Sequence, residues 1–403
     1  MLRDLARLAT REGERPPAAS ADVRRAAAVD EMAAALLEPP AADRVVGRLE
    51  DVLADRPSDV AAINDAMVAR VVRAQVRQDP LDLLHALSQA EHLARLDSGS
   101  LVFAFNRAVL RERLGLRDEA GDSWRGYLTR DSISGWAGEA RRRLTTLAFS
   151  SPPRDPQFVR ERIVDSLLPA WGQAVVDGDR SAAGVLLVRA GAEADSLAHA
   201  TGDGSALLAV QAVRSDPESR DLASGLAAYG TGRAAFIGYR FEDAERALTR
   251  SARSLSALPS LAVWPEMLLG AVDIYNRRYG KAEALYRVAL ASGDSASRVA
   301  QAGRAAWGLG LSLARQSRDR DAIRWFGVAR SRFVTAGERL NAAAVDVQIG
   351  GLAGDLGDVR RGFASEYAAL LALADARDSP YRHTALLIVG RLSMDQGEVE
   401  AAV

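Results

Sequence analysis

Residues 230–248, GTGRAAFIGYRFEDAERAL, are echoed at 268–290 by LLGAVDIYNRRYGKAEALYRVAL. In each copy a glycine lies in a first apolar helix, a short turn follows, and an alanine opens a second helix. The second helix of the first copy sets Ala244, Ala247, Leu248, Ser251 and Leu255 on one narrow face built largely from small residues. Such a face suits a neighbour that approaches closely. First-helix glycines recur at Gly232, Gly270, Gly310, Gly350 and Gly390, and second-helix small residues at Ala244, Ala282, Ala322, Gly362 and Ala402. Both series step by 38, 40, 40 and 40 residues, so one helical hairpin is repeated in register.

Weaker copies precede these. One carries Ala108, Gly115, Ala120, Trp124 and Leu128, another Ala86, Ala90 and Leu93, and a third Trp171, Gly178 and Ala183; RVVGRLEDVLADRP (44–57) is a degenerate one. A single hairpin cannot bury both apolar faces, so the units are expected to stack. Within a unit Gly232 is expected to face Ala244, with Leu248, Tyr286 and Phe326 filling the space between units.

The first-helix small residue (Gly232, Gly270, Gly310), the turn (Gly115, Tyr279, Gly357, Gly397) and the second-helix alanines with an aromatic or Leu four residues on resemble the tetratricopeptide repeat. The resemblance covers most of 59–403, and its period of 38–40 residues exceeds the family's usual 34. It implies an all-α, right-handed superhelical solenoid of helical hairpins with a protein or peptide partner in its concave groove. The expected segments are irregular helices and a degenerate repeat at 1–58, hairpins at 59–149, a proline-rich linker at 150–156, a helical block at 157–220, and a regular array at 221–403 with its last unit incomplete.

Gly390, Gly397 and Ala402 begin a unit whose second helix has hardly started at Val403, so the chain is expected to be part of a longer one. The stretches 106–147 and 171–207 resemble repeat regions that precede CHAT domains in bacterial proteins, on Trp136-Ala137, Glu139-Ala140 and Thr201-Gly202-Asp203. CHAT domains are caspase-like peptidases with a His-Cys pair, and this chain has no cysteine. The resemblance therefore implies a sensor or regulatory arm of an effector; the other reading is a free-standing or transcription-regulator-associated peptide-binding repeat protein.

Composition agrees with helices: 48% of the 403 residues are hydrophobic, much of that alanine, and only 6% are aromatic. A net charge of −1 gives no long-range attraction to nucleic acid. The N-terminal MLRDLARLATREGERPP lacks the apolar core of a signal peptide, and no stretch approaches a membrane span, so a cytoplasmic protein is expected. Lys281 is the only lysine.

Catalytic chemistry finds no anchor. Gly230-Thr231-Gly232-Arg233-Ala234-Ala235 matches a dinucleotide fingerprint in form, but the preceding DLASGLAAY reads as helix where that motif needs a strand. His85 and His92 lie two helical turns apart, about 10 Å, too far to share a metal. His199 and His383 stand isolated. No cofactor, metal or catalytic set is expected, and the chain is read as a non-enzyme. The candidate partner groove consists of first-helix residues Tyr229, Arg233, Phe236, Trp264, Met267, Arg304, Trp307 and Arg391, because aromatics and arginines anchor interfaces.

Overall fold

The computed structural model describes residues 20–149, 155–293, 298–398 and 401. Among these the chain consists of helices and turns, with no strand. The stretch 1–17, Ala402, and the linker apart from Asp155 and Pro156 lie outside the described residues. The chain divides into two compact units, one comprising Met1–Ser151 with Ala353–Val403 and the other Pro152–Leu352. The array read over 221–403 is thus divided, its last part grouping with the N-terminal helices.

The first unit contains α1 (Ser20–Ala35), α2 (Pro39–Asp55), α3 (Val60–Arg77), α4 (Leu81–Leu96), α5 (Leu101–Arg113), α6 (Arg117–Leu128) and α7 (Gly135–Phe149). Its core runs from Val45 and Leu49 through Met67, Leu84 and Leu93 to Phe363 and Leu392, so the C-terminal segment packs on these helices. Ion pairs follow the same route: Arg360–Asp79 at 3.2 Å, Arg377–Asp118 at 2.7 Å and Arg117–Asp375. Gly115, at φ 73°, is needed twice over, since a Cβ there would also lie 3.1 Å from the backbone oxygen of Leu370. Phe105, Trp124, Tyr127 and Trp136 make an edge-to-face cluster joining α5, α6 and α7.

At the end of α6, Asp131 accepts from the Tyr127 hydroxyl (2.7 Å), from the Ser134 amide (3.1 Å) and from the Ser134 hydroxyl. Bonds from Ser134 and then Tyr127 hold its carboxyl down at about 2, while burial, followed by the bond to Asp131, pushes the Tyr127 phenol up to about 12. A depressed carboxylate contributes stability that is complete above its unfolded value of about 3.9 and disappears as pH falls through 2. The raised phenol contributes fully below pH 10 and loses its contribution as pH rises through 12. Asp131→Asn should therefore flatten the melting temperature between about pH 4 and pH 2. If the wild-type slope persisted in the variant, the acid sensitivity would belong to other carboxylates.

The second unit opens with α8 (Pro156–Arg162), a π-helical segment Ile163–Leu167, α9 (Leu168–Val176), α10 (Arg180–Thr201) and α11 (Ser205–Ser215). The repeated hairpins follow: α12 (Arg220–Ile237) with α13 (Phe241–Ser254), α14 (Pro259–Tyr275) with α15 (Tyr279–Gly293), and α16 (Val299–Ala314) with α17 (Asp319–Thr335). The first helix of the next, α18 (Arg339–Asp355), crosses the unit boundary; α19 (Val359–Ala372) and α20 (Pro380–Asp395) complete the order.

The glycine register has a physical basis that differs from the one expected. A Cβ at Gly232 would lie 2.7 Å from the side chain of Leu248, one at Gly270 2.8 Å from Tyr286, and one at Gly310 2.5 Å from Phe326. The glycine therefore seats the bulky residue four positions after the alanine, within its own hairpin, and at Gly232 the nearest atoms belong to Leu248. Tyr286 also meets Gly308 of the following first helix, so its ring is held between two glycines. In the copy spanning the boundary the equivalent position is Glu366, also buried.

Each first helix ends in the same cap, an amide reaching back to the carbonyl five residues earlier: Arg240 to Ala235, Arg278 to Asp273, Arg318 to Leu313, Asp358 to Ala353 and Glu398 to Ser393. The residue before that amide takes a left-handed backbone, and it is Tyr239, Arg277, Ser317, Gly357 and Gly397 in turn. Gly238, the apparent turn glycine, sits at φ −80°. Composition alone did not reveal that a tyrosine and an arginine hold glycine's usual place.

Candidate functional site

First helices α12, α14 and α16 pack side by side in the second unit, and the run 155–176 lies against α12. Its apolar half buries Ile163, Val164, Leu167, Leu168 and Trp171 in the common core. Gly172 brings α9 so close to α12 that a Cβ would lie 2.5 Å from the Ala223 carbonyl oxygen. Gly230 of the GxGxxA stretch lies mid-helix against Pro169, where a Cβ would meet the proline ring at 2.8 Å. The stretch is thus a helix crossing, with no strand before it.

The polar half of the run is held by charge. Arg160 is 1% exposed and Glu338 fully buried. The Arg160 guanidinium donates through Nη1 to Glu338, through Nη2 to Asp203 (3.1 Å) and through Nε to the Ser205 hydroxyl (3.2 Å). Asp203 also accepts from the amides of Ser205 (3.1 Å) and Ala300 (2.7 Å), so it caps α11 and α16 together. Asp155 caps its own helix at the Gln157 amide (3.0 Å) and takes the Leu340 amide of α18 (2.9 Å). Glu338 is shared with Arg304 (2.8 Å) and Asn341 (2.8 Å). Burial pushes the Asp203 carboxyl up, but Arg160 and the bonds from Ser205 and Ala300 outweigh it and leave the group below its usual range.

The eight sequence-nominated residues divide accordingly. The Tyr229 hydroxyl donates to Asp165 of the π segment (2.6 Å), and Arg233 pairs with the same carboxylate (3.1 Å). Arg304 pairs with Glu338 and lies 3.9 Å from Glu161. Trp264 and Met267 are buried in the core, and Trp307 packs edge-on against Phe333. Phe236 contacts Phe241 and Tyr275 edge-on. Arg391 belongs to the other unit, where it pairs with Asp355 (2.5 Å). Three of the nominated residues thus have partners within the chain: Tyr229 and Arg233 at Asp165, and Arg304 at Glu338 and Glu161. Spacing identified these side chains as binding groups, but nothing local to them could reveal that their ligand lies in the same chain.

The exposed chemistry lies at the hairpin edge. Tyr239 is 75% exposed and Tyr275 54% exposed. Tyr275 stacks on Phe241 with ring centres 4.6 Å apart, and Tyr239 meets Phe241 edge-on at 6.1 Å. Ile237 is exposed beside them, and Arg277 follows Tyr275 by two residues.

Among the described residues no group of three His, Cys, Asp or Glu side chains is placed to hold a metal, and no helix is long and apolar enough to cross a membrane. His85 shares a 2.6 Å hydrogen bond with Glu398.

No family model matches the chain, and no curated protein matches it. Solved structures with a similar course include the TPR domain of P58(IPK), at 13% identity and TM-score 0.29, covering 94% of this chain and 99% of that one. Yeast Tom70 follows at 12% identity and TM-score 0.34, covering 94% and 90%. The APC/C hetero-tetramer Cut9-Hcn1 gives 13% identity and TM-score 0.26, covering 96% and 85%. The class assigned here, an all-α protein built of helical hairpins in series, rests on the pairing and capping described above.

Proposed function

We propose that the chain is a protein-recognition scaffold and that its contact surface in the second unit is the hairpin edge formed by Ile237, Tyr239, Phe241, Tyr275 and Arg277, joined by the sequence-nominated Phe236. The observation that carries this is Tyr239. A bulky residue in left-handed backbone costs about 1–2 kcal/mol; Arg277 and Ser317 carry it at the equivalent turns too, Gly357 and Gly397 avoid it, and of the three strained residues Tyr239 alone is aromatic. Strain retained at an exposed aromatic next to a stacked aromatic pair is the pattern of a contact residue.

Tyr239→Gly should raise unfolding stability by about 1 kcal/mol and reduce partner capture. The test is affinity capture with the full chain, comparing wild type, Tyr239→Gly and Tyr275→Ala. Proteins held by wild type and lost from both variants would support the edge. If every captured protein were retained, the scaffold's surface would lie elsewhere.

The finer reading, a regulatory or sensor arm of a bacterial CHAT-type effector, is supported by the phrasing of 106–147 and 171–207. Sequencing the gene past Val403 tests it, because a His-Cys caspase-like domain there is the expected finding.

A further inference from the structure

We propose that the Asp203–Ser205–Glu338 pocket is a binding site for a guanidinium group, filled within the chain by Arg160 and able to exchange it for an arginine side chain of a partner. This stands apart from the hairpin-edge reading and uses none of its residues.

Three features point to it. The first is directionality. Arg160 sends Nε, Nη1 and Nη2 to three different acceptors, Ser205, Glu338 and Asp203, a match to the planar fork of a guanidinium and not to the point charge of an ammonium. The second is redundancy. Without Arg160, Glu338 keeps Arg304 and Asn341, and Asp203 keeps the Ser205 and Ala300 amides. No acceptor is orphaned, yet the cluster, two cations (Arg160, Arg304) against three anions (Asp203, Glu338 and Glu161, 3.9 Å from Arg304), loses one of its two positive charges. A vacated pocket of that kind favours a cation of the same shape.

The third is what holds Arg160 in place. Its helix, α8, contributes little to the apolar core: Phe158 is exposed, and Arg160 is the one residue of Pro156–Arg162 that is fully buried. Burial of Ile163, Val164 and Trp171 begins at the π segment, where Asp165 is fixed by Tyr229 and Arg233. The chain therefore changes at residues 163–167 from an ion-held end to a core-held end. Regions held chiefly by polar contacts open locally at lower free energy than the core.

Chemical rescue tests the site. Arg160→Ala in the full chain should lower the melting temperature by about 6–12 °C, since breaking a buried pair is costly. Ethylguanidinium at about ten times its dissociation constant should then return about 3–5 °C. The same concentration of ethylammonium or sodium chloride should return almost nothing, and wild type should show no such gain. Equal recovery with all three salts, or none with ethylguanidinium, would overturn the assignment and leave Arg160 as a fold lock only. If Arg160→Ala does not fold, wild type carries the test by hydrogen exchange: ethylguanidinium, and not ethylammonium, should accelerate exchange several-fold at 156–162 while 168–176 stays protected. Uniform or absent acceleration would overturn it equally.

Discussion

Tyr286→Ala should destabilise the second unit by about 3–5 kcal/mol in urea denaturation, the cost of emptying a seat filled by a buried aromatic. The partner substitution makes the effect diagnostic. Gly308→Ala would place a Cβ 2.2 Å from the Tyr286 ring, so it should cost about 1–3 kcal/mol through overpacking. In an unconstrained helix the same change would gain up to about 1 kcal/mol. Combined with Tyr286→Ala, the alanine at 308 should cost nothing, giving a coupling energy of about 1–3 kcal/mol across the double-mutant cycle. An additive cycle would mean that the ring does not sit between Gly270 and Gly308, and the account of the 38–40-residue repeat given above would fail with it.

Gly172→Ala should cost about 3 kcal/mol or more, for a different reason. Here the added carbon would meet backbone, the Ala223 oxygen at 2.5 Å and the Ala227 nitrogen at 2.9 Å, and backbone cannot rotate aside. To relieve the clash α9 must withdraw from α12, taking the buried Trp171 with it. Two glycines of α10 serve as controls. At Gly191 the nearest atoms are the mobile end of Arg214, and at Gly184 nothing lies within 4 Å. Alanine at 191 should be nearly neutral, and at 184 it should stabilise by up to about 1 kcal/mol. Calorimetric scans of the three variants give the comparison directly. A Gly172→Ala variant as stable as Gly184→Ala would show that the two helices do not cross this closely.

The Gly172 crossing and the arginine site lie on one run of chain. Gly172 and Trp171 fix the core-held end of the run 155–176, and the ion-held end carries Arg160. A change at Gly172 that loosens the whole run would free both ends, whereas guanidinium competition should free only 156–162. Hydrogen exchange over the two stretches separates these outcomes.

Periodicity alone was enough to place the hairpins. Glycine-to-glycine and alanine-to-alanine steps of 38–40 residues mark a local unit, because a helix pair and its turn are decided by residues within one period of each other. Tyr229, Arg233 and Arg304 were nominated as groove residues for a partner, and their intrachain contacts with Asp165 and Glu338 were not foreseen. Tertiary structure decided the rest. Arg160 meets Glu338 across 178 positions and His85 meets Glu398 across 313, and no periodicity carries information over such distances. The glycine seats were visible as glycines, but that Leu248, Tyr286 and Phe326 each pack on the glycine of their own hairpin was not, because a repeat fixes spacing without fixing which face turns inward; Tyr286 also reaches the next unit at Gly308, as expected. The left-handed turn fell to Tyr239 and not to Gly238 because the cap forms where the helix's last carbonyls find their amide donors, and the fold holds a tyrosine in that place despite the strain.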